Sequence, residues 1–121
     1  MDISLLRQVP LFEALDDEQL EAIALVTITR SFDKDQVIIL AEEEGDALFI
    51  ISDGQVKVSI VSEDGREVIL SLLGPGAVFG ELSLLDGKPR SANVVATADT
   101  GLYMVRRSDF LQLVYKVPQI A

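Results

Sequence analysis

Short runs of alternating apolar and polar residues fill the middle of the chain. Val56, Val58 and Ile60 alternate with polar neighbours, which is the period-two pattern of a half-buried strand. Turn signals such as Asp53-Gly54 and Asp64-Gly65 separate runs of this kind every few residues. Both residues of the second pair tolerate a positive φ, so we expect a type I′ hairpin there. We place strands at residues 36–40, 47–52, 56–60, 68–72, 91–98 and 101–105.

A helical pattern lies near the N-terminus. Residues 5–9 form a short opening segment, which Pro10 separates from a longer helix. Asp16 precedes the helix Asp17–Val26 and Gln19 follows three positions later, the spacing of a capping box. The apolar residues of this helix fall on one face at helical spacing: Leu20, Ile23 and Ala24.

A second helical pattern lies near the C-terminus. Ser108 is expected to cap this helix, and the helix is expected to stop before Pro118. Its apolar face consists of Phe110, Leu111 and Val114.

A strand-rich middle between helical ends predicts a mainly β fold. The number of short strands and tight turns favours a sandwich or barrel of antiparallel strands, flanked by short helices. We assign residues 1–26 to N-terminal helices, 27–106 to the β region and 107–121 to the start of a C-terminal helical region. No repeat or linker composition points to a second domain within 1–121.

The composition excludes several classes of function. The 121 residues contain no cysteine and no histidine, so thiol nucleophiles, iron–sulfur sites and the commonest metal ligand are lacking. We therefore expect no catalytic residues, no metal site and no cofactor. The net charge of −10 repels a phosphate backbone, so we expect no nucleic-acid binding by this stretch. The apolar runs are too short to span a membrane, and we expect a cytoplasmic protein.

Residues 79–92 interrupt the strand pattern with one short helical turn entered through Gly80. Glycine lets a ligand approach the backbone closely. The amides near Leu82 and Ser83 would be free donors at a helix start, where anions bind well. Arg90 adds forked donors that match phosphate oxygens. This stretch therefore indicates an anion site.

Two further residues extend the site towards a nucleotide. Glu81 can accept a hydrogen bond from a ribose hydroxyl, and Ser91 offers a hydroxyl beside Arg90. Structural roles stay open for both: Glu81 can be an acid at a helix N-terminus and Ser91 a strand cap. Arg90 can instead pair with Glu81 or Asp86, and Gly80 can simply make a turn. The acidic stretch 42–46 is interpreted as a solvated turn and not as a cation site.

A family resemblance joins these residues. It rests on residues 79–85 (FGELSLL) and 89–92 (PRSA), which resemble the phosphate-binding cassette of cyclic-nucleotide-binding domains. The likeness extends over nearly the whole chain and is nearest to bacterial transcription regulators of the catabolite-activator and fumarate–nitrate-regulator superfamily. It implies an antiparallel β-roll over residues 27–106, similar to a double-stranded β-helix or jelly roll. It also implies a cyclic purine nucleotide as the regulatory ligand, cyclic AMP in first place, with cyclic GMP left open.

The resemblance also implies a role for each site residue. Glu81 would accept from the ribose 2′-hydroxyl and Arg90 would pair with the cyclic phosphate. Gly80 would open the cradle, which Ser91 and the amides of Leu82, Ser83 and Ala92 would complete. Val58 and Leu70 match positions that form an apolar wall beside the base. Both are expected to be core residues in any case, and a purely core role without a pocket is the alternative.

In that family a long helix follows the roll, caps the base and forms a homodimer, and a DNA-binding helix-turn-helix often comes next. The chain ends at Ala121, about where that helix would begin, so we expect a truncated form of a longer regulator. The resemblance implies control of transcription by the whole protein. A channel, kinase or transporter can carry the same roll, and a scaffold that has lost the nucleotide is a further alternative.

Overall fold

A computed structural model describes residues 3–39, 46–80 and 92–120, with side chains described up to Leu113. The described helices are α1 (Ile3–Arg7), a 3₁₀ turn (Pro10–Phe12), α2 (Asp17–Val26) and α3 (Arg107–Ile120). The described strands are β1 (Ile28–Phe32), β2 (Val37–Ile39), β3 (Ala47–Asp53), β4 (Val56–Val61), β5 (Glu67–Leu73), β6 (Val78–Phe79), β7 (Asn93–Ala96) and β8 (Thr100–Arg106).

These strands form two four-stranded sheets, and each ladder between them is antiparallel. The first sheet has the order β1-β8-β3-β6 and the second has the order β2-β7-β4-β5. This arrangement confirms the mainly β, antiparallel roll predicted from the sequence. Strand β1 is an addition, since the sequence pattern did not place a strand at Ile28–Phe32.

Strand β3 is buried on both faces because two separate layers of the core meet on it. Leu48 and Ile50 pack with α1, α2 and α3 in one apolar cluster. Phe49 and Ile51 alternate with them and pack between the two sheets in the other. An antiparallel strand usually keeps one face in water. Here the helices cover the face that would otherwise be solvated.

The predicted N-terminal cap of α2 is present. Gln19 donates its backbone N–H to Asp16 Oδ1 at 2.8 Å, and Asp16 donates its own to Gln19 Oε1 at 2.9 Å. Two of the unpaired donors at the start of the helix are therefore satisfied. Leu20 and Ile23 are buried, as their spacing predicted.

The hairpin between β4 and β5 differs from the predicted type I′ turn. Of its two predicted residues only Gly65 has a positive φ, at +84°. Gly65 donates its N–H to the Ser62 carbonyl at 2.9 Å, and Ser62 donates to the Arg66 carbonyl at 2.8 Å. This is a longer loop with one left-handed glycine, so Asp64 does not need a positive φ.

The C-terminal helix also corrects the prediction. Helix α3 begins at Arg107, immediately after β8, so Ser108 lies inside the helix and does not cap it. The Arg107 N–H donates to the Asp46 carbonyl at 2.7 Å, so a backbone group satisfies this first donor. The helix continues through Pro118 to Ile120. A proline removes only one backbone hydrogen bond, and the turns on either side of it remain possible.

Candidate functional site

The segment 81–91 joins the two sheets. Its N-terminal end follows Phe79 in β6, at the edge of the first sheet, and its C-terminal end leads into β7, inside the second sheet. Gly80 has φ +78°, a conformation that a side chain makes costly. The glycine predicted to open the insert therefore adopts the backbone geometry that its lack of a Cβ allows.

The C-terminal flank of this segment leads into a row of residues across the second sheet. Val94 in β7 lies opposite Val58 in β4, and Val58 lies opposite Ser71 in β5. Ala92 directly precedes β7, two residues before Val94 along the chain. Val94 is buried, and Val58 is half-buried against the core between the sheets. The fold thus brings Ala92 and Val58 to the same part of the roll.

Leu70 stands beside this row at an irregular position. The register between β4 and β5 shifts after Val58: Val58 lies opposite Ser71, but Ser59 lies opposite Ile69. Leu70 is the extra residue of this β-bulge, a feature that is common next to binding sites. Its side chain is 57% exposed. The expectation that Leu70 is a core residue is therefore wrong.

Lys57, Ser59 and Glu67 form a polar group across β4 and β5. Lys57 Nζ donates to Glu67 Oε1 at 3.0 Å, and Ser59 Oγ donates to Glu67 Oε2 at 3.2 Å. The hydrogen bond from Lys57, with that from Ser59, holds the pKa of Glu67 below its ordinary value of 4.5. Lys57 and Ser59 alternate with Val58 along β4, and side chains alternate between the faces of a strand. The polar group therefore lies on the face opposite to Val58.

Of the nine predicted site residues, the structure describes four: Val58, Leu70, Gly80 and Ala92. The other five lie outside the described residues, namely Glu81, Leu82, Ser83, Arg90 and Ser91. The sequence analysis did not single out Val94, which lies beside Val58. Its signal was the alternation of Val94 and Ala96 with Asn93 and Val95.

The described residues carry two further observations. Within 3–39, 46–80 and 92–120, no group of three or more Asp or Glu side chains is arranged to hold a metal ion. The stretch 42–46 falls outside that search, apart from Asp46. None of the helices in the described part of the chain is long and apolar enough to cross a membrane.

Comparison with known proteins decides the family. The profile of the cyclic nucleotide-binding domain matches residues 29–116. The chain belongs to this family. The match begins in β1 and ends within α3, so it includes the roll, the segment 81–91 and the row through Val58. A cyclic nucleotide-binding domain is a regulatory module and not a catalytic one.

Relatives of this domain occur in proteins of different kinds. The cyclic AMP receptor protein of Thermus thermophilus is 37% identical over 93% of the chain, which spans 52% of that protein. A cyclic nucleotide-gated potassium channel of Mesorhizobium japonicum is 36% identical over 97% of the chain, which spans 31% of it. The domain thus spans about half or less of these relatives.

A solved structure gives the same picture of the fold. The crystal structure of the N-terminal domain of a transcriptional regulator from Streptomyces coelicolor matches with a TM-score of 0.86 and 33% identity. The match covers 96% of this chain and 83% of that one.

Proposed function

We propose that this domain binds cyclic AMP between the segment 81–91 and an apolar wall formed by Val58 and Leu70. We further propose that binding regulates an attached effector. The observation that carries the proposal is the position of Gly80 and Ala92. Gly80 follows β6 at the edge of the first sheet, and Ala92 precedes β7, whose Val94 lies opposite Val58. Gly80 also has the left-handed backbone that only glycine adopts easily.

Segment 81–91 supplies the polar half of the proposed site. Arg90 pairs with the cyclic phosphate, and Ser91 and the amides of Leu82, Ser83 and Ala92 surround it. Glu81 accepts from the ribose 2′-hydroxyl. The net charge of −10 opposes the approach of an anion. A forked, fully charged group next to the phosphate is therefore necessary for binding, and this gives Arg90 the largest role.

Val58 and Leu70 supply the apolar half. Leu70 exposes 57% of its surface beside the half-buried Val58. Exposing apolar surface of this size to water is unfavourable. A purine base stacked against it would remove it from water, which supports the proposed wall. Cyclic GMP has a base of the same size, so the wall by itself does not select between the two nucleotides.

The effector in this proposal is a transcription regulator. The similarity to the receptor protein of Thermus and to the N-terminal domain from Streptomyces supports this choice. It would be a homodimer that binds DNA through parts outside residues 1–121. We place it in the cytoplasm, where DNA and ligand are both available. The similarity to a potassium channel supports an ion channel as the second candidate effector.

Isothermal titration of the chain with cyclic AMP, cyclic GMP and 5′-AMP tests the proposal. We expect saturable binding of cyclic AMP, weaker binding of cyclic GMP and none of 5′-AMP. Arg90→Ala should weaken binding by about 2–5 kcal/mol, because a bound phosphate loses its charged partner. Arg66→Ala is the matched control, since Arg66 is 84% exposed on the β4–β5 loop beside Asp64.

Two results would contradict the proposal. Equal affinities of the Arg90→Ala and Arg66→Ala variants for cyclic AMP would show that Arg90 does not bind the phosphate, and that the phosphate site lies outside segment 81–91. No binding of any nucleotide, in this chain and in a longer form that includes the residues after 121, would instead favour a roll that serves as a scaffold.

A further inference from the structure

The rings of Phe49 and Phe79 stack where the chain enters the proposed site. Their centroids are 5.0 Å apart and their planes differ by 15°. Both side chains are almost fully buried, with 7% and 8% of their surface exposed. The two residues are also direct ladder partners of β3 and β6. An aromatic pair of this kind contributes more than the area it buries.

Backbone hydrogen bonds hold the approach to this point. The N–H of Gly76 donates to the Ile51 carbonyl at 2.8 Å, and the N–H of Ile51 donates to the Ala77 carbonyl at 2.9 Å. Strand β6 then has only two residues, and among the described strands it pairs only with β3. So short a strand gains little from its ladder. The position of β6 therefore depends strongly on the packing of the Phe79 ring against Phe49.

Gly80 follows the ring directly and turns the chain. Its φ of +78° gives the backbone a new direction immediately after Phe79. A small rotation or shift of Phe79 would consequently displace everything that begins at Gly80. Displacements near 1 Å in a binding or reacting geometry are costly.

We infer that Phe79, stacked on Phe49, is a positioning residue for the nucleotide site. It acts through Gly80 and does not itself contact the ligand. The stack fixes the start of segment 81–91 before ligand arrives, so the phosphate-binding groups need less ordering on binding. The inference rests on the proposed function.

Another stacked pair, also among the described residues, provides a matched control. Phe12 and Phe110 have ring centroids 5.6 Å apart with planes differing by 28°. Phe12 is 1% exposed and belongs to the other apolar cluster, between the helices and the first sheet. Phe79→Leu and Phe12→Leu therefore both remove one stacked ring from a buried cluster, but only the first adjoins Gly80.

The test compares the wild type, Phe79→Leu and Phe12→Leu in their stability, their affinity for cyclic AMP and their amide hydrogen exchange. Urea unfolding gives the loss of stability. The titration with cyclic AMP is carried out under conditions in which circular dichroism shows that each variant is folded. We expect Phe79→Leu to weaken binding by about tenfold or more, and Phe12→Leu to leave it within about twofold of wild type. In the free protein, amide exchange at Gly80 should be faster in Phe79→Leu only.

Phe49→Leu removes the same stack from the β3 side and replaces Phe79→Leu if that variant does not fold. Equal affinities and equal exchange at Gly80 in the Phe79→Leu and Phe12→Leu variants would overturn the inference, with the wild type binding normally. A wild type that binds no cyclic nucleotide would instead show that the proposed function is wrong, and the positioning role with it.

Discussion

Leu70 and Leu72 expose the same fraction of their surface, 57%, but they hold different places in the strand ladder. Leu72 lies opposite Lys57, whereas Leu70 falls at the register shift between Val58 and Ser59. The two leucines are thus matched in type, strand and exposure. Of the two, only Leu70 is the bulge residue beside Val58. Substituting each leucine in turn therefore tests whether the proposed apolar wall contacts the base.

We expect Leu70→Ala to weaken cyclic AMP binding by about 1–2 kcal/mol, because a base on this wall would lose part of its apolar contact. Leu72→Ala should leave the affinity unchanged. Both substitutions should change the stability of the domain little, since both side chains are already exposed. Isothermal titration of the two variants measures the difference. Equal affinities would place the base elsewhere.

The proposed roles of Glu81 and Arg90 differ in what they recognise, and analogues separate them. Glu81→Ala should cost about 1–3 kcal/mol of affinity for cyclic AMP, since the ribose hydroxyl loses its acceptor. It should cost nothing for the 2′-deoxy analogue. Arg90→Lys should weaken the binding of cyclic AMP and of its 2′-deoxy analogue by the same amount, because a point charge does not reproduce the guanidinium fork. The same loss for both nucleotides in Glu81→Ala would contradict the ribose contact.

Gly54 and Gly65 both have a left-handed backbone, with φ of +91° and +84°, but their surroundings differ. A Cβ on Gly54 would lie 2.5 Å from the Asp99 carbonyl oxygen and from Thr100 Oγ1, while one on Gly65 would meet nothing within 4 Å. Gly65→Ala should therefore cost about 1–2 kcal/mol for the backbone conformation alone. Gly54→Ala should cost about 2–5 kcal/mol, because a clash is added.

Urea unfolding of the two glycine variants checks this order. The clash at Gly54 has a wider consequence, because Thr100 ties the β3–β4 turn to β8. Its hydroxyl accepts the N–H of Gln55 at 3.2 Å and donates to the Ala98 carbonyl at 2.8 Å. Equal losses in the two variants would show that this turn can move to admit a methyl group.

The pKa of Glu67 gives a prediction for pH. The hydrogen bond from Lys57 lowers this pKa below 4.5. The stabilisation from this pair is therefore complete above pH 4.5 and is lost as the pH falls through the lower, folded-state pKa. Lys57→Met should raise the pKa of Glu67 towards 4.5, as followed by NMR titration of its carboxyl carbon. Lys34→Met, on the exposed β1–β2 turn, should leave it unchanged.

Local features could be predicted from the sequence where their causes are local. The capping box of α2 needs only Asp16, Gln19 and the intervening turn. The position of the β4–β5 hairpin could be predicted but its turn type could not, because in the longer loop Asp64 does not need a positive φ. Ser108 was wrongly predicted as a cap because the helix begins at Arg107, whose N–H donates to the carbonyl of Asp46, about 60 residues earlier in the chain.

The candidate site divides in the same way. Gly80 could be predicted to open the insert, since it interrupts the alternating pattern, but its left-handed backbone is a finding of the structure. The identity of the ligand came from the resemblance of residues 79–85 and 89–92 to a known cassette. The bulge at Leu70 and the stack of Phe49 on Phe79 had no local signal. Each depends on a partner strand whose register is set by the rest of the sheet.

The sequence by itself determined the strand and turn pattern, the mainly β class and the motif of the family, because backbone preferences and hydrophobic periodicity act over a few residues. Only the tertiary structure decided that β3 is buried on both faces, that β1 pairs with β8 and that Leu70 is left exposed beside Val58. These features depend on contacts between residues far apart in the chain. Their energies depend on how whole layers pack together, which no short window of sequence contains.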